Sequence, residues 1–368
     1  MLRGGMKYFA AQFLLLAVCA GVCFAAGDAE ITAALQVIRQ KFDVPAIAGA
    51  IVTSKGLERC GVVGVRKYGT NVAVTTNDLW HLGSDTKAMT ATLVGSLVQE
   101  GRLKWDTTVA EVFPALAPSF HPAMKKVTLL QLLSHRAGLP ANLSWWSFKQ
   151  RTVQEQRVAV LREAFAKKPA SAPGSTYLYS NLGYVIVGAV IEQVTRQSWE
   201  DAIRERVFKP LGMRSVGFGG VGTPGQLDQP WGHTATGRPM NENGPAVDNA
   251  PVLGPAGRVH CTLQDWAKFI ADQLRGARGE PALLKHATYQ FLQTPPFGGD
   301  YALGWALTQR DWGGGPVLNH CGCNTMFYAN VWVAPRKDFA VLICINQGDD
   351  VAFKASDAAA AALIRLHR

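Results

Sequence analysis

The chain has 368 residues, of which 48% are hydrophobic and 17% charged, and its formal net charge is +10. This composition excludes an intrinsically disordered chain, and the length exceeds the size at which one hydrophobic core stops growing. The basic residues are scattered over the chain, so the positive charge indicates a solvated surface and gives no reason to assign a nucleic-acid partner. We therefore expect a globular protein of two packed lobes or two domains.

The N-terminus has the pattern of a secretory signal peptide. Arg3 and Lys7 precede an apolar stretch over 9–20 and small residues that end near Ala25, which predicts a signal over 1–25 and a mature chain over 26–368. The apolar stretch is short for a membrane span, and an uncleaved anchor is the lesser alternative. Cleavage removes two basic residues and lowers the net charge from +10 to +8. We expect a secreted or periplasmic protein without a stable membrane span.

Five of the seven cysteines remain after removal of the signal, and this odd number leaves at least one of them unpaired. Export permits disulfides, but a chain of this size does not need them. Cys60 and Cys344 lie in apolar runs and are predicted to be small buried residues. The oxidation state of Cys321 and Cys323 stays open.

The first part of the mature chain predicts one helix and a strand pair. Apolar residues at helical spacing predict a helix over 28–43, with Asp28 as its cap. Two runs rich in Val, Ile and Gly, over 46–53 and 57–65, predict strands joined by a tight turn at Ser54-Lys55-Gly56. An antiparallel pair therefore opens the fold.

The middle of the chain, about 84–269, has mainly helical periodicity. Its segment 217–255 is so rich in Gly and Pro that we expect an irregular surface loop. Strand patterns return beyond residue 301, and an alanine-rich helix closes the chain. These predicted strands cover 303–308, 317–321, 326–334 and 339–346, and the helix covers 351–366.

Strands at both ends and helices in the middle predict an α+β fold. We expect an antiparallel sheet built from both termini and flanked by helices, with an inserted, mainly helical lobe. One lobe then comprises 26–83 together with about 270–368, and the other comprises about 84–269. A cleft between the lobes is the expected place for a small-molecule substrate.

A serine followed three residues later by a lysine is the first chemical motif. Ser84-Asp85-Thr86-Lys87 opens an apolar helical run, and this spacing puts the lysine amine on the same helix face as the serine hydroxyl. Such a hydroxyl becomes a nucleophile when a neighbouring base accepts its proton. About one Ser-x-x-Lys is expected by chance in a chain of this size, so the motif gains weight only from other motifs downstream.

The second motif is Tyr179-Ser180-Asn181, between a Pro-Gly-Ser loop and a helical run. Tyr328-Ala329-Asn330 has the same spacing, but it lies inside an alternating strand, so we favour Tyr179. Taken alone, this match is better explained as a buried tyrosine with a satisfied hydroxyl.

The third motif is His320-Cys321-Gly322, which ends a predicted strand and is followed by Cys323. His81-Leu82-Gly83 also fits His-x-Gly, but it precedes a helix. The His-Cys-Gly-Cys run can also be interpreted as part of a metal cluster, although no further Cys or His pair offers the remaining ligands at a usual spacing. We predict neither a metal nor a cofactor.

In this order and with these flanks, the three motifs resemble the serine β-lactamase and penicillin-binding-protein superfamily. The resemblance is nearest to the class C β-lactamase-like branch, which includes carboxylesterases and D-amino-acid peptidases. It covers nearly the whole mature chain. Further segments that carry it are 132–140, 173–183, 208–213 and 301–305.

The resemblance implies roles for the first two motifs. Ser84 is implied to be the acylated nucleophile, Lys87 its adjacent base and Tyr179 a proton shuttle. An active role for Tyr179 needs nearby positive charge to favour the phenolate, and which of Lys87 and Tyr179 is the base stays open. Asn181 is implied to hold Lys87 and the substrate.

The third motif is implied to bind the substrate through His320, Gly322 and Cys323, with the backbone N–H groups of Ser84 and Cys323 forming an oxyanion hole. It also departs from the family pattern. Lactam-binding members usually have Ser or Thr before the glycine, whereas Cys321 supplies a weaker hydrogen-bond donor. His320 is expected to be mostly neutral at pH 7, so a substrate carboxylate would find a poor site. An uncharged ester or a different amide is therefore favoured over a β-lactam.

Two weaker candidates complete the set. His135 matches a family loop and is predicted to be structural, because a Ser-His-Asp triad would come with a Gly-x-Ser-x-Gly elbow that this sequence lacks. Trp145-Trp146 is predicted to form a packed or half-exposed lid, with an acyl pocket as the alternative.

These motifs lead to three hypotheses. The first is an exported serine hydrolase that forms an acyl-enzyme at Ser84 with an ester, an amide or a cell-wall peptide. The second is a non-hydrolytic sensor of the penicillin-binding type that captures a cell-wall ligand. The third is a metal-dependent hydrolase.

Overall fold

The computed structural model describes residue 1 and residues 27–367. Most of the predicted signal segment, 1–25, lies outside the described residues, and export stays a prediction. Among the residues that are described, no helix combines the length and the apolar character that a membrane span requires.

The main sheet is built from both ends of the chain. Within residues 27–367 the strands are β1 (Ala46–Thr53), β2 (Gly56–Gly64), β3 (Trp80–His81), β4 (Gly217–Phe218), β5 (Val259–Cys261), β6 (Ala306–Arg310), β7 (Gly315–Cys323), β8 (Tyr328–Ala334) and β9 (Phe339–Ile345). Six of them form an antiparallel sheet in the order β2-β1-β9-β8-β7-β6, and β3, β5 and β4 form a small second sheet. The N-terminal strand pair thus lies beside the last strand of the chain, which confirms the predicted α+β architecture.

Helices fill the middle of the chain and cover the main sheet. In the same residues they are α1 (Ala29–Phe42), α2 (Thr86–Gln99), α3 (Val109–Val112), α4 (Leu129–Leu133), α5 (Val153–Ala166), α6 (Asn181–Thr195), α7 (Trp199–Ile203), α8 (Gly254–Gly257), α9 (Leu263–Arg278), α10 (His286–Leu292) and α11 (Asp349–His367). As predicted, Asp28 caps α1 by accepting the N–H groups of Glu30 and Ile31.

Side chains of the central strands alternate between two apolar layers. On β9, Val341, Ile343 and Ile345 belong to the core that contains α1 and α11, while Leu342 and Cys344 belong to the larger core on the other face. Helix α9 packs over β1 and β2 on that second face. Because both faces are covered, this strand reads as an almost continuous apolar run.

Three details differ from the sequence predictions or refine them. Residue 270, near the predicted lobe boundary, lies inside α9, and this helix packs on the sheet. Segment 217–255 begins with β4, which pairs with β5, and it carries the buried His233. Cys344 is buried as predicted, but the prediction for Cys60 is wrong: it is only half-buried, because β2 lies at the edge of the sheet.

The junction between the sheet and the helical lobe holds Ser84. Residues Gly83–Asp85 form one 3-10 turn that leads directly into α2, and this turn lies against β7. Helix α2 is buried along most of its length. The N-terminus of the buried helix α2 therefore lies beside β7 of the six-stranded sheet.

Candidate active site

Ser84 and Lys87 lie on the same turn at the start of α2. The 3-10 turn and the helix follow without a break, so the i, i+3 spacing becomes a direct contact: Lys87 Nζ lies 2.8 Å from Ser84 Oγ. Ser84 is half-buried, whereas Lys87 is fully buried. Ser84 therefore keeps some solvent exposure, whereas Lys87 has none.

Lys87 is surrounded by oxygen acceptors. Besides Ser84 Oγ, its Nζ contacts Asn181 Oδ1 at 2.8 Å and the carbonyl oxygen of Ala256 at 2.7 Å. Burial lowers the pKa of Lys87 to about 7, and the nearby Asp85 partly opposes that shift. Near neutral pH a substantial fraction of Lys87 is an uncharged amine that can accept a proton.

Tyr179 lies just before α6, where the chain enters the helix. Ser180 caps that helix by accepting the Gly183 N–H, and the Tyr179 hydroxyl donates to Ser84 Oγ at 2.9 Å. Burial raises the pKa of Tyr179 above its usual value, and the hydrogen bond to Ser84 only partly offsets this. Tyr179 therefore holds its proton at neutral pH.

His135 packs against Tyr179 and hydrogen-bonds to the backbone of the next residue. Its Nδ1 accepts the Ser180 N–H at 3.0 Å, and its ring centroid lies 4.4 Å from that of Tyr179. Burial holds the pKa of His135 well below its usual value, so the ring is neutral. This position agrees with the predicted structural role. Trp145 and Trp146 lie in a short 3-10 turn, with Trp145 packed against the core and Trp146 exposed.

The three side chains around Ser84 form the base cluster (Lys87, Tyr179 and Asn181). Asn181 reaches Lys87 through its Oδ1 and donates from its Nδ2 to Asn142 Oδ1 at 2.9 Å. That second hydrogen bond orients the amide so that its oxygen faces the amine. The structure thus brings the first two sequence motifs into one group of contacting atoms.

The third motif meets Ser84 through its backbone. A Cβ on Gly322 would lie 1.9 Å from the Leu82 carbonyl oxygen and 2.7 Å from the Ser84 nitrogen. A Cβ on Gly83, which has a positive φ of 50°, would lie 2.5 Å from the Cys323 nitrogen. A side chain at either Gly83 or Gly322 would clash with the backbone of the opposite segment, so glycine at both positions allows the two segments to approach. The peptide nitrogens of Ser84 and Cys323, which the resemblance implies as oxyanion donors, are consequently neighbours. We call segments 82–84 and 322–323 the oxyanion side.

His320 lies on β7, and its Nδ1 is 3.7 Å from Oδ1 of Asp85. Its Nδ1 lies 2.9 Å from the Cys321 carbonyl oxygen and its Nε2 3.0 Å from the Tyr301 hydroxyl. A carbonyl only accepts, so the proton is on Nδ1 and Nε2 accepts from Tyr301. Burial, with the positive charge of Lys87, lowers the pKa of His320 to about 3. The imidazole is neutral at every working pH.

The two thiols of the third motif differ in exposure. Cys321 is half-buried and donates to Asn330 Oδ1 at 3.5 Å, and burial raises its pKa to about 12. Cys323 is exposed, and its sulfur accepts the Thr325 N–H at 3.2 Å. Both are free thiols. Within residues 27–367 no group of three or more His, Cys, Asp or Glu side chains is arranged to hold a metal ion.

Several groups at the site escape sequence reasoning. The Ala256 acceptor is a main-chain carbonyl, which any residue would supply, so no residue type signals it. Asn142 is not part of any of the three motifs. The carbonyl of the preceding residue, Ala141, accepts the Asn181 N–H, and this contact brings the Asn142 side chain to that of Asn181. Asp85 is buried beside Lys87, where burial raises its pKa well above the usual value.

The sequence is similar to those of known proteins. A family model described as Beta-lactamase matches residues 34–366. The chain belongs to the β-lactamase family. Within this β-lactamase family, penicillin-binding protein 4 of Amycolatopsis lactamdurans is 30% identical over 341 residues, which cover 86% of this chain and 84% of the relative. Protein flp of Staphylococcus aureus (strain MW2) is 24% identical, and the match covers 83% of this chain and 60% of the relative.

Solved structures with a similar fold are also known. D-alanine carboxypeptidase AmpC from Burkholderia cenocepacia superimposes with a TM-score of 0.70 at 20% identity, over 90% of this chain and 97% of that one. At this identity the similarity establishes the fold alone. The superfamily resemblance inferred from the three motifs is confirmed, and membership supports a serine hydrolase in general terms.

Proposed function

We propose that the protein is an exported serine hydrolase that transfers the acyl group of an ester or amide to Ser84 and then to water. One observation carries the proposal: Ser84 Oγ lies within hydrogen-bond distance of both Lys87 Nζ, at 2.8 Å, and the Tyr179 hydroxyl, at 2.9 Å. A half-buried hydroxyl between a neutral amine and a protonated phenol has a proton acceptor and a proton donor at hand.

Acylation moves one proton from Ser84 to the leaving group. Neutral Lys87 accepts the Ser84 proton while Ser84 Oγ bonds to the substrate carbonyl carbon, and the carbonyl electron pair moves onto oxygen. The N–H groups of Ser84 and Cys323 stabilise that oxyanion. When the carbonyl re-forms, the C–O or C–N bond breaks and the leaving group takes a proton from the Tyr179 hydroxyl. The proton held by Lys87 replaces it, so that Lys87 is again neutral and Tyr179 again protonated. In deacylation Lys87 accepts a proton from water while the water oxygen bonds to the acyl carbon; the bond to Ser84 Oγ then breaks, Ser84 Oγ takes a proton from Tyr179, and the proton on Lys87 again replaces it.

Lys87 is a better base than Tyr179 in this site. The burial that lowers the pKa of Lys87 to about 7 raises the pKa of Tyr179, since burial disfavours the charged form of each. Lys87 can accept a proton only while it is uncharged, and an uncharged Lys87 supplies no positive charge to favour a Tyr179 phenolate. We assign the general base to Lys87 and proton return to Tyr179.

The walls of the site favour an uncharged, partly apolar substrate. His320 is neutral and Cys321 is a thiol, so β7 offers no cation to a substrate carboxylate. Tyr177 and Tyr301 pack with ring centroids 5.5 Å apart, and Tyr177 is 40% exposed. Aromatic faces beside the cleft provide apolar contact for an acyl or leaving group. Esters are therefore the first substrate class, and D-amino-acid amides or β-lactams come second.

Intact-mass analysis tests the acyl-enzyme directly. Wild type and Ser84→Ala would be incubated with a p-nitrophenyl ester, a fluorophosphonate and a penicillin. We expect an adduct on wild type that maps to Ser84 and is absent from Ser84→Ala. A folded wild-type protein that stays unmodified across all three reagents would contradict the proposal. A kinetic panel of short p-nitrophenyl esters, a chromogenic cephalosporin and D-Ala-terminated peptides then ranks the substrate classes.

Export forms part of the proposal and depends on residues 1–25. The expected mature protein begins near Ala26, so its intact mass from the native host should lack the signal. Recovery of the full-length chain from the cytoplasmic fraction would contradict export.

A non-hydrolytic penicillin-binding-type sensor is the second candidate. Cys321 in place of the usual hydroxyl favours it, because a weak donor on β7 would slow turnover. Steady-state release of product from any ester or lactam, abolished in Ser84→Ala, would exclude the sensor; a Ser84 adduct that persists without turnover would favour it.

A further inference from the structure

Asp248 is a buried carboxylate at the meeting point of three segments. Its side chain is fully buried, and its Oδ2 lies 3.0 Å from both His81 Nε2 and Arg258 Nε. Its Oδ1 accepts from Asn324 Nδ2 at 2.9 Å. Although burial opposes ionisation, these partners hold the pKa of Asp248 well below its usual range. The group is a permanent anion whose partners are fully specified.

The contact with His81 reaches the residue before the nucleophile. His81 Nδ1 accepts the Gly83 N–H at 3.1 Å, and a backbone N–H only donates, so the ring proton is on Nε2 and faces Asp248. The carboxylate thereby fixes both the tautomer and the orientation of the ring. The ring in turn holds the Gly83 peptide in its left-handed conformation, immediately before Ser84.

The contact with Asn324 reaches the other half of the oxyanion side. Asn324 directly follows Cys323, and its Oδ1 accepts the N–H groups of Met326 at 3.1 Å and Phe327 at 2.8 Å. This side chain therefore shapes the turn that leaves β7. With its oxygen engaged in the turn, its Nδ2 is anchored by Asp248 alone among the hydrogen bonds of the described residues.

The contact with Arg258 reaches the segment beside the base. Arg258 follows α8, whose Ala256 carbonyl receives Lys87 Nζ. Asp248 thus links three stretches that are distant in sequence, and each adjoins a working part of the site.

We infer that Asp248 is a positioning residue, which holds the N–H groups of Ser84 and Cys323 in the geometry that an oxyanion requires. Donors stabilise an oxyanion only when both lie about 2.7–3.1 Å from it. The two donors here come from segments more than 200 positions apart in the chain. A single carboxylate orients Asn324, next to Cys323, and His81, which holds the Gly83 peptide next to Ser84. The inference rests on the acyl-enzyme function proposed above.

Asp248→Asn tests the inference, because the amide keeps the shape but cannot accept all three donors. Asp272→Asn is the matched control: Asp272 is also a fully buried acid, paired with Arg275 and accepting the Leu283 N–H. We expect Asp248→Asn to lower kcat for an ester about 10- to 100-fold with KM nearly unchanged. Affinity for phenylboronic acid should fall by a similar factor, because its tetrahedral Ser84 adduct places an oxygen in the oxyanion position. Asp272→Asn should leave both quantities close to wild type.

The pH midpoint of kcat/KM separates positioning from a change in the base. Because Asp85 supplies the charge that opposes the lowering of the Lys87 pKa, we expect Asp248→Asn to keep the wild-type midpoint. Unchanged boronate affinity, or a kcat equal to that of Asp272→Asn, would overturn the inference.

A second variant covers the case in which Asp248→Asn does not fold. Asn324→Ala keeps the carboxylate and removes only its link to the Cys323 turn, and the same fall in kcat and boronate affinity is expected. Normal boronate binding in Asn324→Ala would overturn the inference. A wild-type protein that neither turns over esters nor forms a Ser84 adduct would instead contradict the proposed function, so the two failures are distinguishable.

Discussion

Ser84 is approached from two sides that the fold builds in different ways. The base cluster consists of side chains, and Lys87 and Tyr179 both touch Ser84 Oγ. The oxyanion side consists of backbone, where Gly83 and Gly322 let two peptide segments meet. A lysine or tyrosine is chemically distinct and leaves a motif in the sequence, whereas a backbone N–H belongs to almost every residue. The base cluster is therefore visible in the residue types themselves, whereas the family resemblance implies the two backbone donors and only the tertiary structure shows the close approach of their segments.

Removal of the Ser84 hydroxyl should have the largest effect on ester hydrolysis. Ser84→Ala is expected to lower ester kcat by more than about 10⁴-fold, because neither a base nor an oxyanion hole acts without the attacking oxygen. Steady-state hydrolysis of the ester measures the loss of kcat, and thermal unfolding checks that the variant is folded. Activity close to wild type would place the chemistry elsewhere.

Loss of the base should have the next largest effect. Lys87→Met replaces a buried amine with an apolar side chain of similar length and should reduce the acylation rate about 10²- to 10⁴-fold. Tyr179→Phe, which removes only the proton donor, is expected to cost less. Stopped-flow acylation by a p-nitrophenyl ester compares the two variants, and the reverse order would assign the base to Tyr179.

Disruption of the oxyanion side should cost about 10²- to 10³-fold in kcat. Gly322→Ala places a Cβ 1.9 Å from the Leu82 carbonyl oxygen and forces the two segments apart. Gly257→Ala is the control, because its Cβ meets the Gly83 backbone at 3.4 Å, an ordinary contact. Equal activity of the two alanine variants would show that the close approach at Gly322 is not needed for catalysis.

The pH dependence should distinguish the bases without mutation. Lys87, with its pKa lowered to about 7, is protonated below that pH and cannot accept the Ser84 proton. We expect kcat/KM for an uncharged ester to fall about tenfold per pH unit below 7 and to level off above it. A profile that is still rising steeply at pH 9 would instead point to Tyr179, whose pKa burial raises.

The smallest expected effect concerns the aromatic wall. Tyr177→Ala should raise KM for a phenyl ester about three- to tenfold and leave kcat unchanged, since the exposed ring provides contact and takes no part in the chemistry. Phe291→Ala is the control, because that ring is 37% exposed and stacks on Trp105 in another part of the surface. An equal KM in both variants would remove Tyr177 from the substrate site.

The helices and strands were largely predictable, because their periodicity is a local property. The predicted strand at 46–53 coincides with β1, and the predicted helix over 351–366 lies within α11. The environment of segment 217–255 was not predictable. Its Gly and Pro content indicates only the lack of regular structure, and nothing local shows that Asp248 within it reaches His81 and Asn324.

His81 illustrates the same limit. The sequence favours His320 over His81 as the start of the His-x-Gly motif, because His81 precedes a helix, yet the His81 ring lies against Gly83, next to Ser84. The two matches meet in space, with Gly83 and Gly322 at the point of contact. A pairing of this kind depends on how β7 approaches the start of α2, and no spacing along the chain encodes it.

By itself the sequence determined the α+β order of elements, the superfamily and the four side chains Ser84, Lys87, Tyr179 and Asn181, because spacing and residue type carry that information. The tertiary structure alone decided that burial lowers the pKa of Lys87 and raises that of Tyr179. It also decided how closely segments 82–84 and 322–323 approach each other beside Ser84. Electrostatic environment and backbone proximity are sums over neighbours from distant parts of the chain, so they exist only once the chain has folded.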